Sequence, residues 1–179
     1  MGEDLPAPGR GRRRRVGDDR QHDRARASAQ CRRGQKDGAD DEAIGRSRGG
    51  LSTKIHATVD ALGNPTGFAL SPGQAHDLEG ADALLPGLAA DALIADKAFD
   101  AEERVLKPLE AAGKTAVIPP KGNRKEPRPY DKDLYKARHL IENFFAKLKQ
   151  FRAIATRYDK RAVNFLAAIH LAAATIWLN

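Results

Sequence analysis

The stretch Tyr135-Lys136-Ala137-Arg138-His139-Leu140-Ile141-Glu142, followed by Lys149, sets one carboxylate among three groups that seek phosphate. On a helix advancing about 100° per residue, Tyr135, Arg138, Glu142 and Lys149 fall within an arc of roughly 60°. Beside that arc runs an apolar one of Leu134, Ala137, Ile141, Phe144, Phe145, Leu148 and Phe151, the pattern of a helix that packs on a core. A guanidinium grips phosphate with two N–H groups, an ammonium acts as a point charge, and a carboxylate holds a hard cation. Together they suit phosphodiester chemistry at the edge of a buried face. Two plainer readings stay open: Glu142 as a surface partner of Arg138 one turn away, and Tyr135 as packing.

A second acid, Asp96, follows the short apolar run Ala92–Ala95. Open α/β sheets gather ligand groups at the carboxyl ends of their strands, so the position is apt. An aspartate before Lys97-Ala98-Phe99 also suits a helix N-cap. Asp60 sits where a strand enters a turn and reads as a turn residue, not as a partner for these two acids. The turn Gly45–Gly50 carries Arg46 and Arg48, whose guanidinium groups and neighbouring amides suit a phosphate. Lys121, Arg124, Lys125 and Arg128 precede Tyr130 and suit a nucleic-acid backbone, and Arg152, Arg157 and Lys160 extend that basic surface. Each basic stretch also reads as a solvated loop. His76-Asp77 reads alone as a hydrogen bond at a helix start; His139 and His170 read as structural, and no residue set has the ligand spacing of zinc.

The elements that must position these groups read as mixed α/β. Leu51, Thr53, Ile55, Ala57 and Val59 alternate with polar residues, a strand of period two. Ala61 to Pro65 supply a turn, and Thr66 to Ser71 return as a second strand. A helix is expected over 77–88, a buried strand at Ala92–Ala95, a helix over 100–112 ended by Gly113, and a strand at Ala116–Ile118 stopped by Pro119-Pro120. After the basic loop 121–130, two helices follow, about 132–151 and 161–177. In the last, Leu166, Ile169, Leu171, Ile176 and Trp177 read as core.

The 179 residues suffice for one domain with a core, and 31 Lys and Arg against 24 Asp and Glu, a formal charge of +7, favour a polyanionic partner. One cysteine, Cys31, excludes a disulfide framework, and no apolar run approaches a membrane span. The N-terminus lacks the apolar core of a secretion signal, so a cytoplasmic protein is expected. Residues 1–42 hold ten arginines, many acids and almost no aliphatics, and should remain disordered. They read either as a basic arm on DNA or as out-of-frame translation. One set of codons for Asp18 to Ala25, GAT GAT CGA CAG CAC GAT CGT GCG, spells Met-Ile-Asp-Ser-Thr-Ile-Val-Arg when read one nucleotide later. The proper frame would then resume near Asp40 or Asp41.

The Tyr-x2-Arg-x3-Glu-x6-Lys spacing resembles the signature of insertion-sequence transposases of the DDE type. The blocks GRSRGGLSTKIHATVDALGNP, LSPGQAHD, LIADKAFD, VIPPKGNR, LIENFFAKLKQFRAIATRYDK and NFLAAIHLAAATIWL follow the same family in order, from about Ile44 to Leu178. The resemblance implies a ribonuclease-H-like fold, a mixed sheet with flanking helices whose first, central strand is missing here. It implies Asp96 and Glu142 as catalytic ligands of Mg²⁺ or Mn²⁺, with Tyr135, Arg138 and Lys149 gripping phosphates beside the cleaved bond. It gives His76-Asp77 a supporting place near the active edge of the sheet. The family's first aspartate would lie upstream, in the out-of-frame segment, leaving 43–179 as a partial catalytic domain, inactive alone. The implied partners are transposon-end and target DNA, a second copy or a full-length transposase, in the bacterial cytoplasm at the nucleoid; the other expectation is a non-catalytic regulator that binds DNA.

Overall fold

The computed structural model describes residues 42–124 and 128–178, within a compact unit of residues 35–179. The expectations for residues 1–41, and for Lys125, lie outside the described residues.

Strands β1 (Gly45–Ser47), β2 (Gly50–Val59) and β3 (Pro65–Pro72) form an antiparallel sheet in that order. The stretch expected as a glycine-rich turn is thus mostly strand. Only Arg48-Gly49 turn, with Gly50 at φ 107 in a region that favours glycine. Between β2 and β3, Asp60 makes the expected turn: its Oδ1 accepts from the amides of Leu62 and Asn64, both at 2.9 Å. The Asn64 amide above all holds its carboxyl below the ordinary range.

The period-two pattern of β2 divides its side chains between two helical layers. Ile55, Ala57 and Val59, with Phe68 and Leu70 of β3, pack against buried Phe144, Leu148, Ile154, Phe165 and Ile169. The other face of β2 presents Lys54 and His56 to helix α1 (Leu78–Leu84). Gly80 permits that approach, for a Cβ there would lie 2.2 Å from the His56 ring. The helix expected over 77–88 tightens to a 3₁₀ turn at Leu85–Gly87, where Pro86 removes an amide.

Strands β4 (Ala92–Ile94) and β5 (Thr115–Val117) pair in parallel as a second sheet, over a cluster of Leu78, Ala81, Val105, Leu106, Leu109 and Ile118. The single helix expected over 100–112 is a wide π turn, Glu102–Leu106, followed by α2 (Lys107–Ala111). Pro108 falls in the first turn of α2, where its missing amide costs no hydrogen bond, and Gly113 ends it at φ 67. Among the described residues no hydrogen bonds join the two sheets, in place of the one mixed sheet expected.

The expected helix 132–151 comes in three pieces: α3 (Lys132–Tyr135), a 3₁₀ turn (Lys136–Arg138) and α4 (His139–Leu148). Asp131 caps the start, its Oδ1 accepting from Asp133 N at 2.8 Å and Leu134 N at 2.9 Å. Leu134, expected on the apolar side, is exposed. Helices α5 (Arg152–Ala155) and α6 (Ala162–Leu178) complete the fold. Phe165, Ile169, Ala172 and Ala173 make the buried stripe of α6. Leu171, two residues beyond Ile169, turns about 200° away. It is 72% exposed and Trp177 64%, so both correct the expectation of core packing. Arg157, expected on a basic surface, lies instead 4.7 Å from the centre of the Phe165 ring and donates to the carbonyls of Glu42 and Ala43. No described helix is long and apolar enough to cross a membrane.

Ile169 is fully buried, so Ile169→Ala should cost about 2–5 kcal/mol in urea unfolding. Trp177→Ala should stay within about 0.5 kcal/mol of the parent; equal losses at both positions would contradict the assigned face of α6.

Candidate active site

Arg138 joins the two acids that the sequence singles out. Its Nη2 lies 2.5 Å from Glu142 Oε1 and its Nη1 3.7 Å from Asp96 Oδ2. Asp96 arrives from the turn after β4, Glu142 from the first turn of α4, so two separate elements converge on one guanidinium. Both plainer readings are present as well. Asp96 Oδ1 caps the 3₁₀ turn Lys97–Phe99 by accepting from Lys97 N at 2.6 Å, and Arg138–Glu142 is an i,i+4 pair. The cap occupies one oxygen of Asp96 and leaves the other facing Arg138.

The 3₁₀ turn sharpens the spacing. At three residues per turn, Arg138 falls directly beneath Tyr135, and its Cζ lies 5.9 Å from the Tyr135 ring centre. The Tyr130 ring meets Tyr135 edge-on at 5.5 Å. Partial burial holds the Tyr135 phenol above its ordinary pKa, against the pull of Arg138 and with help from the Asp96 and Glu142 charges. It is therefore a hydrogen-bond donor at neutral pH. Lys149 follows α4 directly, exposed, with no carboxylate of the described residues paired to it.

Two exposed carboxylates facing one cation are oxygen donors of the kind Mg²⁺ and Mn²⁺ accept. Among the described residues no group of three or more His, Cys, Asp or Glu gathers around a common point. The acids present thus fit part of a divalent-metal site, with Asp60 spent in its turn.

Arg124 was expected on a DNA backbone, yet its guanidinium is taken by Asp100 and Glu102. Asp100 is the feature that sequence reading missed. Its side chain is 2% exposed and also accepts from Lys121 N at 2.8 Å, which anchors the start of the basic loop. Its only signal was an aspartate in an apolar helical pattern. Lys121 keeps its ammonium unpaired among the described residues, as do Arg46 and Arg48, both exposed at the β1–β2 turn. Nε and Nη2 of Arg128 are buried with no hydrogen-bond partner among the described residues.

His76 and Asp77 lie at the start of α1. His76 Nδ1 accepts from Leu78 N at 3.2 Å, the helix-start bond expected. Asp77 accepts from Lys54 Nζ at 2.7 Å across the sheet, which holds its carboxyl below the usual range. Next to Lys54 on that face, His56 bonds the Ser71 hydroxyl at 2.8 Å, and burial keeps its pKa below the ordinary value.

A family model described as a transposase DDE domain matches residues 19–177. A Brucella ovis protein named as a transposase for insertion sequence element IS6501 is 41% identical over 133 residues, 72% of this chain and 100% of that protein. No solved structure matches.

Arg124→Ala strands the buried Asp100 carboxylate and should cost about 3 kcal/mol in urea unfolding, whereas Lys121→Ala, which keeps its backbone bond, should be near neutral. The pH dependence follows from His56 and Asp77. Both pKa values are lowered on folding, so the unfolded chain binds more protons, and stability falls as pH drops. The His56 part is complete above its unfolded pKa of 6.5 and is lost as pH falls through the folded value. His56→Gln should flatten the fall in melting temperature just below neutrality; an unchanged slope would contradict the burial of the ring.

Proposed function

Given that this chain belongs to the DDE transposases of insertion sequences, enzymes of DNA transposition, we propose that Asp96, Glu142, Tyr135, Arg138 and Lys149 are its active-site set. One observation carries the reading: acids from two elements face the same guanidinium, in the helix with the Tyr-Arg-Glu-Lys spacing. Enzymes of this family work with divalent metal ions. Asp96 and Glu142 are the proposed ligands, of Mg²⁺ or Mn²⁺. Such an ion makes bound water a nucleophile and offsets charge on phosphate oxygens.

The remaining groups act on DNA. Arg138 turns its fork from the carboxylates to a phosphate, Lys149 adds a charge about two turns beyond Glu142 along the same face, and the protonated Tyr135 donates a hydrogen bond. Arg46, Arg48 and Lys121 meet the backbone further out, and Lys125 of the same basic stretch is assigned to it as well. Arg124 serves by holding the loop that presents them. Asp77 supports the sheet edge through Lys54, and His76 supports it by capping the start of α1. The partner is double-stranded DNA, met as a single chain, as a homo-oligomer or beside a full-length transposase, in the bacterial cytoplasm at the nucleoid.

The chain alone neither cuts nor joins DNA in this reading, because the third acid belongs to a strand encoded in the neighbouring frame, upstream of about residue 40. The lack of a third acid near the pair among the described residues, beside an intact set of unpaired cations, favours a second role as a DNA-binding regulator.

Purified chain should bind double-stranded DNA with an affinity that falls steeply with salt, and Lys149→Ala should reduce the slope of log K against log salt by about 1. Incubation of the same chain with transposon-end DNA and Mn²⁺ should release no 3′ end. Robust metal-dependent cleavage would refute the missing-acid reading, and a salt slope unchanged by Lys149→Ala would remove that lysine from the interface.

A further inference from the structure

Two aspartates bracket the short turn that follows β4, and they do different work. Asp96 opens it, one oxygen capping Lys97 N and the other facing Arg138. Asp100 closes it, its amide donating to the Lys97 carbonyl at 3.1 Å and its carboxylate turned inward. One oxygen of that carboxylate accepts from Lys121 N at 2.8 Å. The other takes the Arg124 guanidinium, whose second arm reaches Glu102 of the π turn. Residues 121–124 close a turn of their own, Arg124 N donating to the Lys121 carbonyl at 3.0 Å. The turn after β4 and the loop after β5 thus leave the same ends of two parallel strands and are tied by one buried carboxylate. Beneath the tie, Ala95 N donates to the Val117 carbonyl at 3.3 Å and Ile118 is fully buried, which holds the two strand ends side by side.

Stability is a weak reason for such an ion pair. Taking two charges out of water costs about what their attraction returns, and apolar residues of similar volume often hold as well. A carboxylate adds direction, with two acceptors aimed at one amide and one guanidinium. We infer that Asp100 is a positioning residue, setting the Asp96 carboxylate and the Lys121 ammonium in one rigid frame so that a divalent cation and a DNA phosphate bind together. The inference rests on the proposed roles of Asp96 toward metal and Lys121 toward DNA, and adds the link between them. Cation and phosphate attract, and the attraction counts in full only while their holders keep a fixed separation. Metal then raises DNA affinity, and by reciprocity DNA raises metal affinity by the same factor. Asparagine at position 100 keeps the shape but sets an NH₂ donor against Lys121 N or the Arg124 fork, which opens the tie.

The test measures binding of a labelled double-stranded oligonucleotide to the full chain 1–179 by fluorescence anisotropy, with and without Mn²⁺. Asp96→Asn supplies the baseline for ordinary screening by the ion, and the parent's gain in affinity with Mn²⁺ should exceed that baseline about fivefold or more. Asp100→Asn should lose the excess while still binding Mn²⁺ without DNA, read from water-proton relaxation. Lys121→Ala should lose it too, with no further loss in the double variant. A folded Asp100→Asn chain that keeps the excess, or that no longer binds Mn²⁺ at all, overturns the inference. A parent with no excess, whose Mn²⁺ binding still depends on Asp96, overturns the link and leaves the metal assignment standing. Equal Mn²⁺ binding in the parent and Asp96→Asn refutes that assignment, and the link with it. Should Asp100→Asn melt below the assay temperature, Arg124→Lys decides, because it keeps a cation for the buried carboxylate but not the second arm: loss of the excess supports the link and its retention overturns it. A parent chain without a cooperative melt overturns it as well.

Discussion

The architecture depends on the two-faced alternation of a single strand. β2 alternates aliphatic Ile55, Ala57 and Val59 with polar Lys54, His56 and Thr58, so it must be covered differently above and below. The aliphatic side draws in α4 and α6, and that packing fixes the position of the helix that carries Glu142. The polar side draws in α1, with Lys54 reaching Asp77 and the His56 ring nesting against Gly80. A one-residue slip of β2 against β3 would invert both layers, taking Glu142 away from Asp96 without touching either residue.

Within the site the balance of charge is local. Arg138 is shared by two carboxylates, each about half exposed, so the cluster is loosely held and its members can change partners at modest cost. Asp100 shows the opposite design. Deeply buried, it holds Arg124 and the Lys121 amide together, and the basic loop begins from a rigid base. The contrast separates a loosely held, half-exposed cluster from a buried ion pair that holds the scaffold.

Much of this was legible in the sequence. The β2–β3 hairpin and the Asp60 turn follow from short-range pattern, and the Tyr-Arg-Glu-Lys spacing pointed to the helix from which Arg138 reaches Asp96 and Glu142. Other features did not show. The fate of Arg124 depended on a carboxylate 24 positions away whose burial no local pattern reveals. Trp177 and Leu171 looked like core because α6 is apolar on nearly every side, and only packing decides which stripe is covered. The breaks at Pro86 and Pro108 and at Lys136–Arg138 shortened three helices whose periodicity ran on through them.

The grip of Arg157 on the carbonyls of Glu42 and Ala43 has a consequence for inheritance. It fixes the chain just ahead of β1 through two backbone carbonyls, from the turn after α5, more than a hundred residues along the sequence. Carbonyl oxygens are the same in every residue, so the grip is indifferent to what is encoded ahead of it. A change of side chain at Glu42 or Ala43 therefore leaves both acceptors in place.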